Sequence, residues 1–162
     1  MHDLAQALQE TLAHEIPITR HLAIHVVSYD QTGLVLQAPL APNINHKRTA
    51  FAGSLNSVVT LAGWGLLWLI LKELELPARV VIQDSACSYL RPVSNDFSAF
   101  CPRPDQEQID RLAEALRKRG KSRIELHTEI LNGTTVAVSF TGRYVIMSTS
   151  TNEESNESSS GR

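Results

Sequence analysis

The sequence predicts an α+β domain, an antiparallel sheet packed with helices, and three observations predict it. Alternating, β-branched runs recur along the chain and are joined by hairpin-type turns. One segment, VVTLAGWGLLWLIL at 58–71, is apolar on every side and reads as a helix that must be covered all round. Two further segments, near the N-terminus and after residue 104, carry apolar stripes at helical spacing.

The elements follow in order. Over 3–15, Leu4, Ala7, Leu8 and Leu12 share one helical face, and Pro17 ends it. HLAIHVVSYD (21–30) and GLVLQAPL (33–40) alternate, and Asp30-Gln31-Thr32-Gly33 links them as a hairpin. A polar loop, 41–52, leads to a long helix opened by Gly53 or Ser54, running to about Glu75 and closed by Pro77. At 1.5 Å per residue that helix is roughly 30 Å long, the diameter of a small domain. Strands are expected over 78–90 and 97–103, connected through Pro92–Asp96. The segment 105–120 is a helix with Asp105 as N-cap, Ile109, Leu112, Ala113 and Leu116 as its stripe, and Gly120 at C′. Strands at 122–131 and 134–147 flank Asn132-Gly133, the strongest short hairpin signal present. Residues 1–147 are expected to form one domain, and 148–162, STSTNEESNESSSGR, a disordered polar tail. One sheet covers one side of the apolar helix. A second copy of the chain covers the other, so packing alone predicts a homodimer and leaves a tetramer open.

Composition bounds the function. The net charge of −2 resides in the tail, with its three acids and one base, and the remainder is neutral. Nothing points to nucleic acid or to a charged membrane surface. The apolar run of 14 residues is shorter than the ~18–20 that span a bilayer, and no signal-peptide core is visible. Cys87 and Cys101 form neither a metal knuckle nor a disulfide framework, which implies a reducing, cytoplasmic location. His21 and His25 lie four apart in a strand, with no acid or thiol beside them to complete a metal site. Trp64 and Trp68 share one helix face and read as core or interface packing. No serine-nucleophile elbow, phosphate-binding loop or dinucleotide fingerprint is present, so neither metal nor bound cofactor is expected.

The stretch NHKRTAFAGSLNSVVT, residues 45–60, resembles the active-site segment of hotdog thioesterases of the phenylacetate-degradation type. With APNINH before it, the Gly-Trp pair after it and DSACSYLRPV at 84–93, it is similar to the thioesterase domain of the YiiD C-terminal type, over roughly residues 4–147. The resemblance implies a hotdog fold: a curved antiparallel sheet of five to six strands wrapped around one long apolar helix. It implies that Asn45 holds the thioester carbonyl or the attacking water. Ala52 matches the first glycine of the family's pair, whose N–H is an oxyanion donor. Gly53 matches the second, which admits the substrate. Thr60 stands where those enzymes carry a catalytic Asp or Glu, and Phe51 replaces a frequent His; both are departures.

The chemistry fits the junction. A helix N-terminus carries unpaired N–H groups and about half a positive charge. Inside an apolar slot these stabilise the oxyanion formed when water attacks a thioester, one such donor being worth about 3 kcal/mol. The missing acid at Thr60 leaves Asp84, in an otherwise apolar strand, as general base or as a structural acceptor of hydrogen bonds. The basic run RKRGKSR (117–123) is either a set of solvated cations complementing a helix dipole or a clamp for carrier phosphates through Lys121 and Arg123. Arg91 and the Lys47-Arg48 pair are rivals for that task. His46, Phe51 and Ser54 complete the expected substrate contacts. The expected activity is hydrolysis of acyl thioesters of coenzyme A or acyl carrier protein, within fatty acid metabolism. The alternative is a non-catalytic module that binds those same carriers.

Overall fold

The computed structural model describes residues 2–149. Helix α1 (His2–Glu15) is followed by a short α2 (Ile18–His21), the hairpin β1 (His25–Tyr29) and β2 (Gly33–Ala38), and the central helix α3 (Ala52–Glu73). Strands β3 (Ala78–Tyr89) and β4 (Phe97–Pro102), helix α4 (Gln106–Arg119), and strands β5 (Lys121–Asn132) and β6 (Thr135–Ser148) complete the order. All six strands join one curved antiparallel sheet in the order β1-β2-β4-β5-β6-β3. Helix α3 packs against β2, β3, β4, β5 and β6.

Several boundaries differ from expectation for local reasons. Pro17 ends α1 but also opens α2 as its N-cap, since proline tolerates a helix start. The central helix begins at Ala52, one residue before Gly53, because Phe51 takes the extended N-cap conformation and its C=O receives the Leu55 N–H at 3.0 Å. Ser148 remains in β6, its N–H bonded to the Gly120 carbonyl at 2.9 Å, so order extends past 147. The expected tail from 150 onward lies outside the described residues.

At 22 residues, α3 is long and apolar enough to cross a bilayer, so length does not argue against a membrane. Burial does: 72% of its apolar window is enclosed by this fold. Three contacts fasten it. The Tyr144 hydroxyl donates to the Thr60 carbonyl at 2.7 Å. Gly63 makes this possible, because a Cβ there would lie 2.2 Å from that hydroxyl. Trp64 Nε1 donates to the Val80 carbonyl at 3.0 Å, tying α3 to the edge strand β3. At the far end Glu73 accepts from the Tyr29 hydroxyl and from Arg103, a partly buried cluster that joins α3 to β1 and the end of β4.

Within one chain the helix keeps a half-buried stripe: Gly53, Asn56, Ser57, Thr60, Trp64 and Trp68. These positions recur at helical spacing and define one face. Beside it runs β3, a 12-residue edge strand whose second edge has no strand neighbour in the sheet. Val81, Ile82 and Tyr89 on β3, and Leu90 just after it, are exposed.

Candidate active site

The start of α3 is open. Its first three N–H groups, on Ala52, Gly53 and Ser54, precede the first intrahelical bond. The N-cap residue is Phe51, which supplies no side-chain oxygen, and the first turn contains no acid. These donors and the helix dipole are therefore uncompensated by the cap. Ala52 is exposed, Gly53 half-buried and Ser54 buried. The Phe51 ring lies across this turn: a Cβ on Gly53 would meet its Cε1 at 2.3 Å. Gly53 thus makes room for the ring, which is itself 56% exposed.

The loop before the helix is held by two asparagines. Asn43 is buried; its Nδ2 donates to the carbonyls of Leu22 and Pro39, and its own carbonyl accepts the Phe51 N–H at 2.7 Å. Asn45 spends its amide inside the loop. Its Oδ1 accepts from the N–H groups of Lys47 (2.8 Å) and Thr49 (3.2 Å), while Nδ2 donates to Thr49 Oγ1 (3.0 Å) and the Ala50 carbonyl (3.4 Å). That is an Asx turn, which sets the loop's path and leaves the side chain committed to it. His46 is exposed on the same turn.

One and two turns into α3 lie Asn56 and Thr60, with the Thr60 hydroxyl donating to Asn56 Oδ1 at 3.4 Å. The face of β3 that meets them follows from register. Ile82 pairs with Tyr144, Cys87 with Phe140 and Tyr89 with Val138, and these β6 residues point into the core. Ser85, opposite Gly142, shares that face. The Tyr89 hydroxyl lies near Cys87 and Asn56; partial burial, then the contact with Cys87, hold it above the ordinary phenol range, while the Asn56 contact pulls it back. Asn56, Thr60, Cys87 and Tyr89 thus form a polar cluster beside the open helix start. Sequence reading missed Asn56 and Tyr89. The signal was present as polar residues on the stripe of an otherwise apolar helix, and as an aromatic two places beyond Cys87 on an alternating strand.

Asp84 is elsewhere. A bulge between Ile82 and Asp84 shifts the register, so Asp84 pairs with Arg143 on the face away from α3. Its carboxylate sits 3.1 Å from Arg143 Nη1, and Arg143 also reaches Glu125 at 3.7 Å. Within one chain Asp84 therefore lies apart from the α3 start: its own strand directs it to the outer surface, and Ser85 takes the inward position. The other acid on these two elements, Glu73, lies at the far end of α3.

Arg91 belongs to the helix-start end of the sheet, its N–H bonded to the Ala137 carbonyl at 3.2 Å, while Val93 accepts from the Ala50 N–H at 2.7 Å. Lys121 and Arg123 do not. They pair with Met147 and Val145 at the other end of β6. The structure thus gathers Asn45, His46, Phe51, Ala52, Gly53, Ser54, Thr60 and Arg91 around one end of α3, and leaves Asp84, Lys121 and Arg123 apart. Among the described residues no group of three or more His, Cys, Asp or Glu side chains forms a metal site.

Comparison with known proteins agrees with this fold. Residues 5–148 match the family described as "Putative thioesterase (yiiD_Cterm)". Among solved structures, a protein of unknown function from Chlorobaculum tepidum TLS is 32% identical, with a TM-score of 0.87 over 90% of this chain and 94% of its own. A "putative thioesterase" from Shewanella oneidensis is also 32% identical, with a TM-score of 0.82 over 90% and 98%. A thioesterase from Haemophilus influenzae, 13% identical, shares the fold at a TM-score of 0.68 over 89% and 90%. The architecture is the hotdog fold, and the chain belongs to the YiiD C-terminal thioesterase family.

Proposed function

We propose that this member of the YiiD C-terminal thioesterase family hydrolyses acyl thioesters carried by coenzyme A or acyl carrier protein. One observation carries the reading: the uncapped start of α3 opens beside the polar cluster of Asn56, Thr60 and Tyr89. The thioester carbonyl accepts hydrogen bonds from the N–H groups of Ala52 and Gly53 after the Phe51 ring moves aside. Water is held by the Asn56 amide and the Thr60 hydroxyl and attacks the carbonyl carbon. Negative charge gathers on the carbonyl oxygen at the positive end of α3, and the C–S bond breaks as the carbonyl re-forms, the departing thiolate taking up the proton that the water gives up. One oxyanion donor contributes about 10²–10³ in turnover. Asn45 acts by shaping the loop, His46 and Arg91 flank the entrance, and Ser54, which is buried, supports the turn from within.

The functional unit in this reading is a homodimer. The half-buried stripe of α3 and the unpaired edge of β3 lie together, and a second copy placed there covers both. An exposed apolar strand edge of this length is otherwise an aggregation hazard.

The absence of a carboxylate on the inward faces of α3 and β3 favours the second reading, a module that binds acyl carriers without cleaving them. Release of free thiol from a panel of acyl-CoAs by the pure protein separates the two. Hydrolysis is expected, reduced about tenfold or more in Asn56→Ala/Thr60→Val and changed less than about twofold in Asp84→Asn. Binding without thiol release establishes the module instead. Loss of turnover in Asp84→Asn with the fold intact refutes the assignment of the water site. Light scattering reads the dimer, which Val81→Lys/Ile82→Lys is expected to split.

A further inference from the structure

A cleft of about 850 Å³ lies between α4 and the first half of β5, within the size range of small-molecule sites. The sheet creates it. Strands β4 and β5 pair at Ala99–Ile130 and Phe100–Glu129, so the first half of β5 runs on beyond the paired stretch, and α4 packs against it there. Arg111, Arg119, Lys121 and Arg123 line the cleft, together with the apolar Leu112 and Ile124. Its one carboxylate, Glu125, is 3.7 Å from Arg143. Arg111 pairs with Glu107 at 3.1 Å and stays exposed, and Arg119 feels the Glu114 carboxylate, which Lys118 already pairs, whereas Lys121 and Arg123 form no ion pair with any described residue.

Dipole complementation explains part of this charge, since Arg117, Lys118 and Arg119 occupy the last turn of α4. It does not explain Arg123, on β5, or Arg111, two turns from the end. Gly120, with φ of +66°, turns the chain so tightly that Arg119 and Lys121 face one space. Converging like charges repel, and a bound anion relieves that repulsion.

We propose that the α4–β5 cleft is a binding site for a phosphate-bearing ligand of the nucleoside-diphosphate class. The phosphates lie among Arg119, Lys121 and Arg123, and the flat ring system rests on the half-buried Ala115 and Ile124. Arginine suits this task through its paired, planar donors. The site is distinct from the α3 start in the same chain: β6 residues Val138 and Val145, which mark the two ends, are seven residues apart along the strand, roughly 23 Å. Such a ligand has two sources, the nucleotide portion of a thioester carrier engaged by a neighbouring copy, or a free nucleotide.

The experiment is calorimetric titration of the full chain with adenosine diphosphate and, separately, with inorganic pyrophosphate. Saturable binding of the nucleotide is expected, with pyrophosphate weaker. Arg119→Gln/Arg123→Gln is expected to weaken the nucleotide about tenfold or more. Arg117→Gln, in the same helical turn but outside the cleft, should change it less than about twofold. Equal loss in both variants, or no binding of either probe at millimolar concentration, overturns the proposal. Melting curves confirm that each variant is folded. The source is read by comparing an acyl-CoA with the acyl-pantetheine lacking the nucleotide. A raised KM for the first alone assigns the cleft to the carrier, and unchanged KM values with weakened nucleotide binding assign it to a free ligand. The binding arm needs no turnover, so it stands or falls apart from the thioesterase reading.

Discussion

Helices α3 and α4 enter the fold by the same backbone gesture and finish it differently. Both N-cap residues are extended, Phe51 with φ −65° and ψ 132°, Asp105 with φ −63° and ψ 163°. In α4 the Asp105 carboxylate accepts the Gln108 N–H at 2.7 Å, and the Gln108 side chain accepts the Asp105 N–H at 3.1 Å. The capping box satisfies the helix locally, and Glu107 adds an acid to the first turn. In α3 no side chain does this. The far ends differ as well. Gly120 closes α4 in the left-handed conformation, beside three cations of the right sign for the dipole. Helix α3 ends on Lys72 and an acid, Glu73, and the acid is paired by Arg103 from β4's end. One helix completes both of its termini. The other closes its C-terminal end through the Leu74 and Leu76 N–H groups and stays open at its start, and the open end is where a carbonyl oxygen can be received.

The contrast can be tested by exchanging its terms. Giving α3 a cap, Phe51→Asp, should lower turnover about 100-fold or more, because the new carboxylate takes the donors and repels the oxyanion, while stability rises by about 1 kcal/mol. Turnover assays and thermal melts on one preparation read both signs; unchanged turnover breaks the idea that the open start is the reactive element. Removing the remote support at the other end, Arg103→Gln, should cost about 2 kcal/mol, since Glu73 and Tyr29 are left partly buried without their cation. Denaturant melts check it, with a midpoint equal to the parent's counting against a role for that cluster. The smallest effect belongs to the self-sufficient helix. Asp105→Ala should cost about 1 kcal/mol and leave hydrolysis as it was, measured on the same two assays.

Legibility along the chain followed the range of the interactions. Asp105, the stripe at Ile109, Leu112 and Leu116, and Gly120 were readable because capping and amphipathicity are local. The hairpins at Asp30–Gly33 and Asn132-Gly133 were readable for the same reason. Short α2 was not, since Pro17 signals both an end and a start. The direction of Asp84 was not readable because one bulged residue reverses every side chain beyond it, and nothing in the alternation of VVIQDSAC marks where the bulge falls. Lys121 and Arg123 were seen as charges, but their distance from the α3 start depends on the antiparallel return of β6, which no local pattern encodes.

By itself the sequence determined the helices and strands, the need to cover an apolar rod, and the polar-to-apolar junction at residues 52–54, because these depend on propensity, periodicity and hydration of the chain's own neighbours. Only the tertiary structure decided which polar groups meet that junction. It brought Asn56 and Tyr89 to it, turned Asp84 outward, and opened a basic cleft where β4 parts from β5. The reason is that side-chain direction in a sheet is a property of register, and register is set by strands that lie far apart in the chain.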